Sequence, residues 1–145
     1  MVDVLTDIVI ACPIEEVAGY AADPDNAPEW YVNIKSVEWQ SPKPLNLGSR
    51  LAFTAQFLGR RLAYIYEVTD LVPNKKLVMR TADGPFPMET TYSWQKIDVR
   101  HTRMTLRNRG EPSGFSRLFS PFMVLAMKQA NRKDLRRIKS ILEKK

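Results

Sequence analysis

The sequence predicts an α+β domain: one strand, two short helices, a run of six antiparallel strands and one long C-terminal helix. Three observations lead there. Between residues 32 and 109, apolar side chains recur at every second position in short runs broken by turn residues. After residue 114 that period stops, and Val124, Met127, Asn131, Leu135, Ile138 and Leu142 recur at spacings of three or four. Ahead of the alternating region lie one strand-like run and two short helix signals.

Val4 to Ala11 reads as the first strand. Cys12-Pro13-Ile14-Glu15-Glu16-Val17 reads as a helix start, with Pro13 at the first helical position and two glutamates complementing the positive end of the dipole. Asp23-Pro24-Asp25-Asn26 is turn chemistry, so this helix ends near Ala22. A second short helix through Asn26–Trp30 follows. Six strands come next. In Val32 to Trp39, Ile34 and the pair Val37 and Trp39 sit on opposite phases, so Lys35-Ser36 is a candidate β-bulge.

Leu51, Phe53, Ala55 and Phe57 form the apolar phase of the next strand. After Gly59 come Leu62, Tyr64, Tyr66 and Val68, and after Pro73-Asn74 come Leu77, Met79 and Thr81. Asp83-Gly84-Pro85 breaks the pattern. Met88, Thr90, Tyr92 and Trp94 alternate next, and past a hairpin turn at Asp98 to Arg100 so do Thr102, Met104, Leu106 and Asn108. Gly110 to Gly114 ends the strands. Ser120-Pro121 marks the start of the last helix, Ser as N-cap and Pro first, about 24 residues or roughly 36 Å long. Its second half is apolar only along the stripe with Ile141 beside it. Its first half, with Phe122, Met123, Leu125 and Ala126 and with Leu118 and Phe119 upstream, is apolar nearly all round and needs cover on several sides.

The 145 residues suit a single domain, taken as 1–145. Hydrophobic residues make up 44% and charged residues 26%, which excludes wholesale disorder. The net charge of +6 is unevenly spread. Residues 1–41 carry eight acids and one base, residues 42–114 twelve bases and six acids, and residues 115–145 nine bases and two acids. One cysteine, Cys12, excludes an intrachain disulfide and fits a cytoplasmic location. With one histidine, His101, there is no ordinary zinc set, and no glycine-rich phosphate loop occurs; no metal or cofactor is expected. The apolar run Ile8 to Cys12 is too short to span a membrane, and acids stand where a signal peptide carries bases.

The element order and several local motifs resemble the START/Bet v 1-like (SRPBCC) superfamily in its polyketide cyclase/dehydrase-like branch. The motifs are Ala11-Cys12-Pro13-Ile14-Glu15-Glu16-Val17, with Cys12 inserted before the proline, then Asp23 through Pro28-Glu29-Trp30, then Tyr66-Glu67-Val68-Thr69-Asp70 with Pro73, and Asp134-Leu135 through Lys139 to Leu142-Glu143. Together they span essentially the whole chain. The resemblance implies a helix-grip fold, one seven-stranded antiparallel curved sheet wrapped around the long helix with a hydrophobic cavity between them. It implies binding of lipids, polyketides or other apolar molecules, and it carries no universal catalytic motif.

The inward set Phe53, Phe57, Tyr64, Tyr66, Met79, Met88, Tyr92, Trp94, Met104 and Leu106 is richer in Tyr, Trp and Met than a plain Leu/Ile/Val core. Rigid aromatics and adaptable methionines suit a pocket for a flat or flexible apolar ligand, with ordinary core packing as the alternative for each residue. Met123 and Met127 extend the set onto the long helix. Asn108 and Asn131 are polar exceptions on apolar phases; they would bond a ligand, bond each other, or lie at an exposed sheet end. Trp30 and Trp39 are candidates for capping the cavity entrance, Trp30 the stronger after its turn, with packing against the long helix as the alternative.

Other chemistry is less favoured. His101 reads as an exposed turn histidine, Glu67 and Glu89 as solvated outward carboxylates, and Cys12 as a small packed residue. The bases Arg50, Arg103, Arg107, Arg109, Arg132, Lys133, Arg136, Arg137 and Lys139 raise nucleic acid as a partner. Yet the strand aromatics fall on the opposite phase from the strand arginines, so a specific nucleic-acid site is not expected. The sequence thus points to a monomer or weak homodimer that binds a small hydrophobic ligand, with Tyr64, Tyr92, Asn108 and Asn131 fixing its orientation. A cyclase, aromatase or dehydratase acting in the same cavity is the alternative. A membrane-surface or interaction module built on the apolar and basic halves of the last helix is the third reading.

Overall fold

The computed structural model carries the elements in the expected order: β1 (Val2–Ile10), α1 (Ile14–Ala22), a 3₁₀ turn (Pro24–Asn26), α2 (Ala27–Trp30), β2 (Ile34–Trp39), β3 (Arg50–Phe57), β4 (Arg60–Val72), β5 (Lys76–Asp83), β6 (Met88–Asp98), β7 (His101–Gly110) and α3 (Pro121–Glu143). It describes residues 2–57, 59–83, 87–110 and 121–144, and of residues 2, 57 and 121–123 the backbone alone. The expected N-cap Ser120, the residues Leu118, Phe119 and Gly84-Pro85, and the side chains of Phe57, Phe122 and Met123 lie outside that description.

All seven strands form one antiparallel sheet in the order β1-β7-β6-β5-β4-β3-β2. Five of the six pairings join chain neighbours; the sixth brings β1 back beside β7, with Val4 opposite Asn108 and Ile8 opposite Met104. This is the α+β helix-grip arrangement. The alternation decides the faces. On β7 Thr102, Met104, Leu106 and Asn108 are buried while His101 and Arg103 are exposed. The β2 bulge falls between Ile34 and Ser36, where the phase break places it. Two more irregularities in β4, at Ile65/Tyr66 and Val68/Asp70, bend the longest strand.

The helix starts differ in one detail. Pro13 is not the first residue of α1 but its N-cap, with extended ψ of 149°, and its carbonyl accepts from the Glu16 and Val17 N–H groups. Asp23 caps the 3₁₀ turn by accepting from the Asp25 N–H at 3.0 Å. α3 lies against the concave face with Asn131, Asp134, Leu135, Ile138 and Leu142 buried. Its C-terminal end is tied to β1: Lys139 Nζ donates to the Val9 carbonyl at 2.9 Å, and Glu143 accepts from the Ala11 N–H at 2.8 Å. Cys12 is buried as expected, and its thiol also donates to the Leu142 carbonyl at 3.3 Å.

The core is centred on Ile10, Val17, Trp30, Leu51, Val68, Leu77, Met104, Leu106, Leu135 and Ile138, all essentially without exposed surface. Burial of each such aliphatic side chain contributes roughly 1.5–3 kcal/mol. The outer face is a ladder of ion pairs. Asp3 holds Arg107 through two hydrogen bonds, Asp7 faces Arg103 at 3.7 Å, Glu67 pairs with Arg50 at 3.0 Å, and Glu89 lies between Arg80 and Arg109. The acidic start of the chain is thus laid beside basic β7, and the lopsidedness along the sequence largely cancels on this face.

Candidate functional site

Between α3 and the concave sheet, two adjoining lobes of about 140 and 90 Å³ share Tyr31, Ile34, Tyr66 and Asn108. Tyr64 and Met88 from the sheet, and Met127, Asn131 and Asp134 from α3, add to the larger lobe. Phe53, Met79, Thr90 and Tyr92 add to the smaller. The walls are aromatic pairs. Tyr64 and Tyr66 have centroids 5.8 Å apart, Phe53 meets Tyr66 edge-on at 5.7 Å, and Trp30 lies under Tyr31 at 4.1 Å.

Polar groups gather at this cavity. The Tyr31 and Tyr92 hydroxyl oxygens are 2.6 Å apart and share a hydrogen bond. Thr90 Oγ1 donates to Asn108 Oδ1 at 2.8 Å. Burial pushes Tyr66 up to about 12 and raises Tyr31, Tyr64 and Tyr92 well above the ordinary phenol range, so all four stay neutral hydroxyls. Asp134 is 2% exposed, and one of its oxygens accepts from the Val32 N–H at 2.8 Å. Burial pushes its carboxyl up to about 7, against the opposing pull of the Val32 N–H and Arg137. Asn131 is 6% exposed, and its buried Nδ2 has no partner among the described residues.

Of the residues expected to line a cavity, Phe53, Tyr64, Tyr66, Met79, Met88, Tyr92, Asn108, Met127 and Asn131 are brought together here. Asn108 and Asn131 do not bond each other; each has other surroundings in the same cavity. Phe57 and Met123 have no described side chains. Four expectations are corrected. Met104 and Leu106 are fully buried core and line neither lobe. Trp30 is no lid: the brief helix α2 turns its ring inward, with no exposed surface, where it supports Tyr31 and Tyr92. Trp94 is one pleat step too far along β6 and lines a separate groove instead.

That groove, about 520 Å³, runs between α1 and the β4–β5 turn and also holds Trp39, the other expected cap. Trp39 Nε1 donates to Asp25 at 2.8 Å, and Lys43 both pairs with Asp25 at 2.7 Å and sits 5.3 Å from the Trp39 ring centre. The groove is larger than the inner cavity, but its exposed charges satisfy one another. The buried Trp94 Nε1 at the groove is also without a partner among the described residues, but the inner cavity brings two half-satisfied polar side chains together, Asn131 and Asp134, so it is the stronger candidate.

Asp134, Tyr31 and Thr90 line the cavity but were not among the expected residues. Asp134 had a legible signal: it stands three residues after Asn131 and seven after Met127, on the buried stripe. Its place in a charge run, followed by Arg136 and Arg137, hid it. His101 is exposed at the hairpin beside Asp98, with Nδ1 2.9 Å from Oδ1, and lines neither lobe. Among the described residues no cluster of three His, Cys, Asp or Glu is placed to hold a metal, and no helix is long and apolar enough to cross a membrane.

Residues 1–143 match the family described as polyketide cyclase / dehydrase and lipid transport. The chain belongs to that family, a branch of the START-like superfamily its motifs resemble. No curated protein matches it. Among solved structures it is similar to a START superfamily protein from Mycobacterium smegmatis, with TM-score 0.84, 15% identity and 99% of both chains covered. It is similar to the Zhui aromatase/cyclase from Streptomyces sp. R1128, with TM-score 0.78 and 14% identity over 97% of this chain and 93% of that one. It is also similar to the major latex-like protein 151 of Panax ginseng, with TM-score 0.73 and 10% identity over 95% of each. At these identities the likeness is one of fold.

Proposed function

We propose that the protein binds a small, mostly apolar molecule between α3 and the sheet, with the molecule's polar end at Asn131 and Asp134. The observation that carries this reading is the unpartnered amide of Asn131 beside a half-satisfied Asp134 in an aromatic cavity. Buried polar groups are nearly always paired, so an unpaired donor here is a place for a ligand acceptor. Apolar surface entering the cavity contributes about 25 cal/mol per Å² removed from water. A cavity of about 150 Å³ holds one benzene-sized ring, so the described lobes suit one or two rings. The test is titration with 2-naphthalenemethanol followed by amide and side-chain NMR. Perturbation should centre on Asn108, Asn131, Tyr64 and Tyr66. Perturbation confined to Trp39 and Lys43 would move the site to the outer groove and overturn the assignment.

Asp134 also favours a second reading, catalysis in the same cavity. A carboxyl raised to about 7 exchanges protons readily at neutral pH. The reaction would be a cyclisation or dehydration of an apolar substrate, the kind of activity the Zhui aromatase/cyclase carries in its name. Asp134→Asn should then cut turnover on a polyketide panel by about 10²-fold. Wild-type protein that turns over no member of the panel argues against catalysis and leaves the binding reading standing.

A further inference from the structure

We propose that the cavity selects its ligand by charge, accepting a polar end that is uncharged or cationic and rejecting a carboxylate on the same apolar body. This rests on the ligand-binding reading above and adds what that reading leaves open, the chemical class of the ligand's polar end.

Among the described residues, no Lys, Arg or His lines either lobe, and Asp134 is the one acidic side chain that does. The arginines nearest in sequence to the lining strand residues point the other way. Arg103, Arg107 and Arg109 occupy the outer phase of β7 and are engaged by Asp7, Asp3 and Glu89. On α3 the cation that acts on Asp134 is Arg137, whose side chain is exposed. A ligand carboxylate would therefore enter an aromatic-walled space with no cation among the described residues to meet it and with an acid already there. An ammonium would meet the Asp134 oxygen that the Val32 N–H leaves free. A hydroxyl or carbonyl would use the amides of Asn108 and Asn131, of which only Asn108 Oδ1 is taken among the described residues.

The groups facing Asp134 make its titration readable. Tyr31 at the α2–β2 link, Tyr92 on β6 and Tyr66 on β4 remain neutral hydroxyls. Arg137, on its own helix, lies near both Asp134 and Tyr20, which bonds Glu29. Asp134 is thus the group at the cavity that changes charge near neutral pH. Above pH 7 its carboxylate attracts an amine and repels a carboxylate; well below pH 7 both effects fade.

The experiment uses the full chain and three probes sharing one body: 2-naphthalenemethanol, 2-naphthylmethylamine and 2-naphthoate, each titrated by NMR at pH 8 and pH 5.5. At pH 8 naphthoate should bind at least tenfold more weakly than the alcohol, and the amine at least as tightly as the alcohol. At pH 5.5 naphthoate should gain affinity, the amine should lose it, and the alcohol should hold within about twofold. Asp134→Asn, which keeps an oxygen for the Val32 N–H, should reproduce the pH 5.5 ranking at pH 8. The wild-type pH series stands without it if that variant fails to fold. Three probes binding within threefold of one another, or naphthoate binding tightest, overturns the charge filter while leaving ligand binding intact. Binding by none of the three overturns the ligand-binding reading itself, and the filter with it.

Discussion

Burial holds the Asp134 carboxyl up to about 7, while the Val32 N–H and Arg137 pull it down. An unfolded aspartate titrates near 3.9. The folded value is the higher one, so the native state holds this proton more tightly than the unfolded chain does. The stabilisation from it is whole below about pH 4, falls as pH rises through 7, and is gone above. Asp134→Asn removes the charge that burial disfavours and keeps an acceptor for Val32. It should raise unfolding free energy at pH 8 by on the order of 2–4 kcal/mol and change it little at pH 4. Urea denaturation at the two pH values measures this, and a variant no more stable than wild type at pH 8 refutes it. The same residue marks what single positions disclose in a sequence. The aromatic phase of the strands, Tyr64, Tyr66 and Tyr92, was legible because alternation fixes which side chains turn inward. Asp134 was not, because an acid among bases on a helix reads as a surface charge until the stripe is followed through it. Trp30 misled for a related reason: a turn precedes it, but four residues of helix suffice to rotate its ring into the core.

At the scale of elements, strand phase was readable to the point of locating the β2 bulge, and Pro13 placed the start of α1 to within one residue. Strand partners were not readable, because pairing β1 with β7 joins segments about 100 residues apart that no local pattern links. One junction between elements has little slack. Gly110 ends β7 directly opposite Met88 at the start of β6. A Cβ added to Gly110 would clash with Met88 Sδ and stand 3.1 Å from the Pro87 carbonyl. The thioether can swing away, but Met88 is also a wall of the larger lobe. Gly110→Ala should therefore destabilise by about 1–3 kcal/mol through overpacking. Adding Met88→Ala should recover part of that loss, leaving the Pro87 carbonyl contact. A double-mutant cycle in urea reads the coupling, and purely additive losses would show that the contact at Met88 is not what Gly110 avoids.

For the molecule as a whole, the net charge of +6 is distributed by the fold rather than by the order of the chain. The register of β1 on β7 sets Asp3 and Asp7 among Arg103, Arg107 and Arg109, and Glu89 completes the set from β6. Arg132, Lys133 and Arg136 on the exposed face of α3 have no ion pair among the described residues, and only Arg136 bonds anything, the Arg132 carbonyl at 3.4 Å. Exposed pairs contribute little to stability, but they cancel one another's field at short range, whereas unpaired cations project theirs. Two triple variants of equal net charge separate the faces. Changing Arg132, Lys133 and Arg136 to Gln removes cations that stand alone. Changing Arg103, Arg107 and Arg109 to Gln removes cations already engaged and frees the acids beside them. If the outward field came from total charge alone, both variants would leave a cation-exchange column at the same salt concentration. If it comes from α3, the helix variant elutes earlier than wild type by a wide margin and the sheet variant keeps a strongly retained face. Because ~0.1 M salt screens beyond about 10 Å, the elution order reports the local patch and not the sum. Elution of the sheet variant first would place the dominant cationic surface on β7 and refute this account of how the charge is laid out.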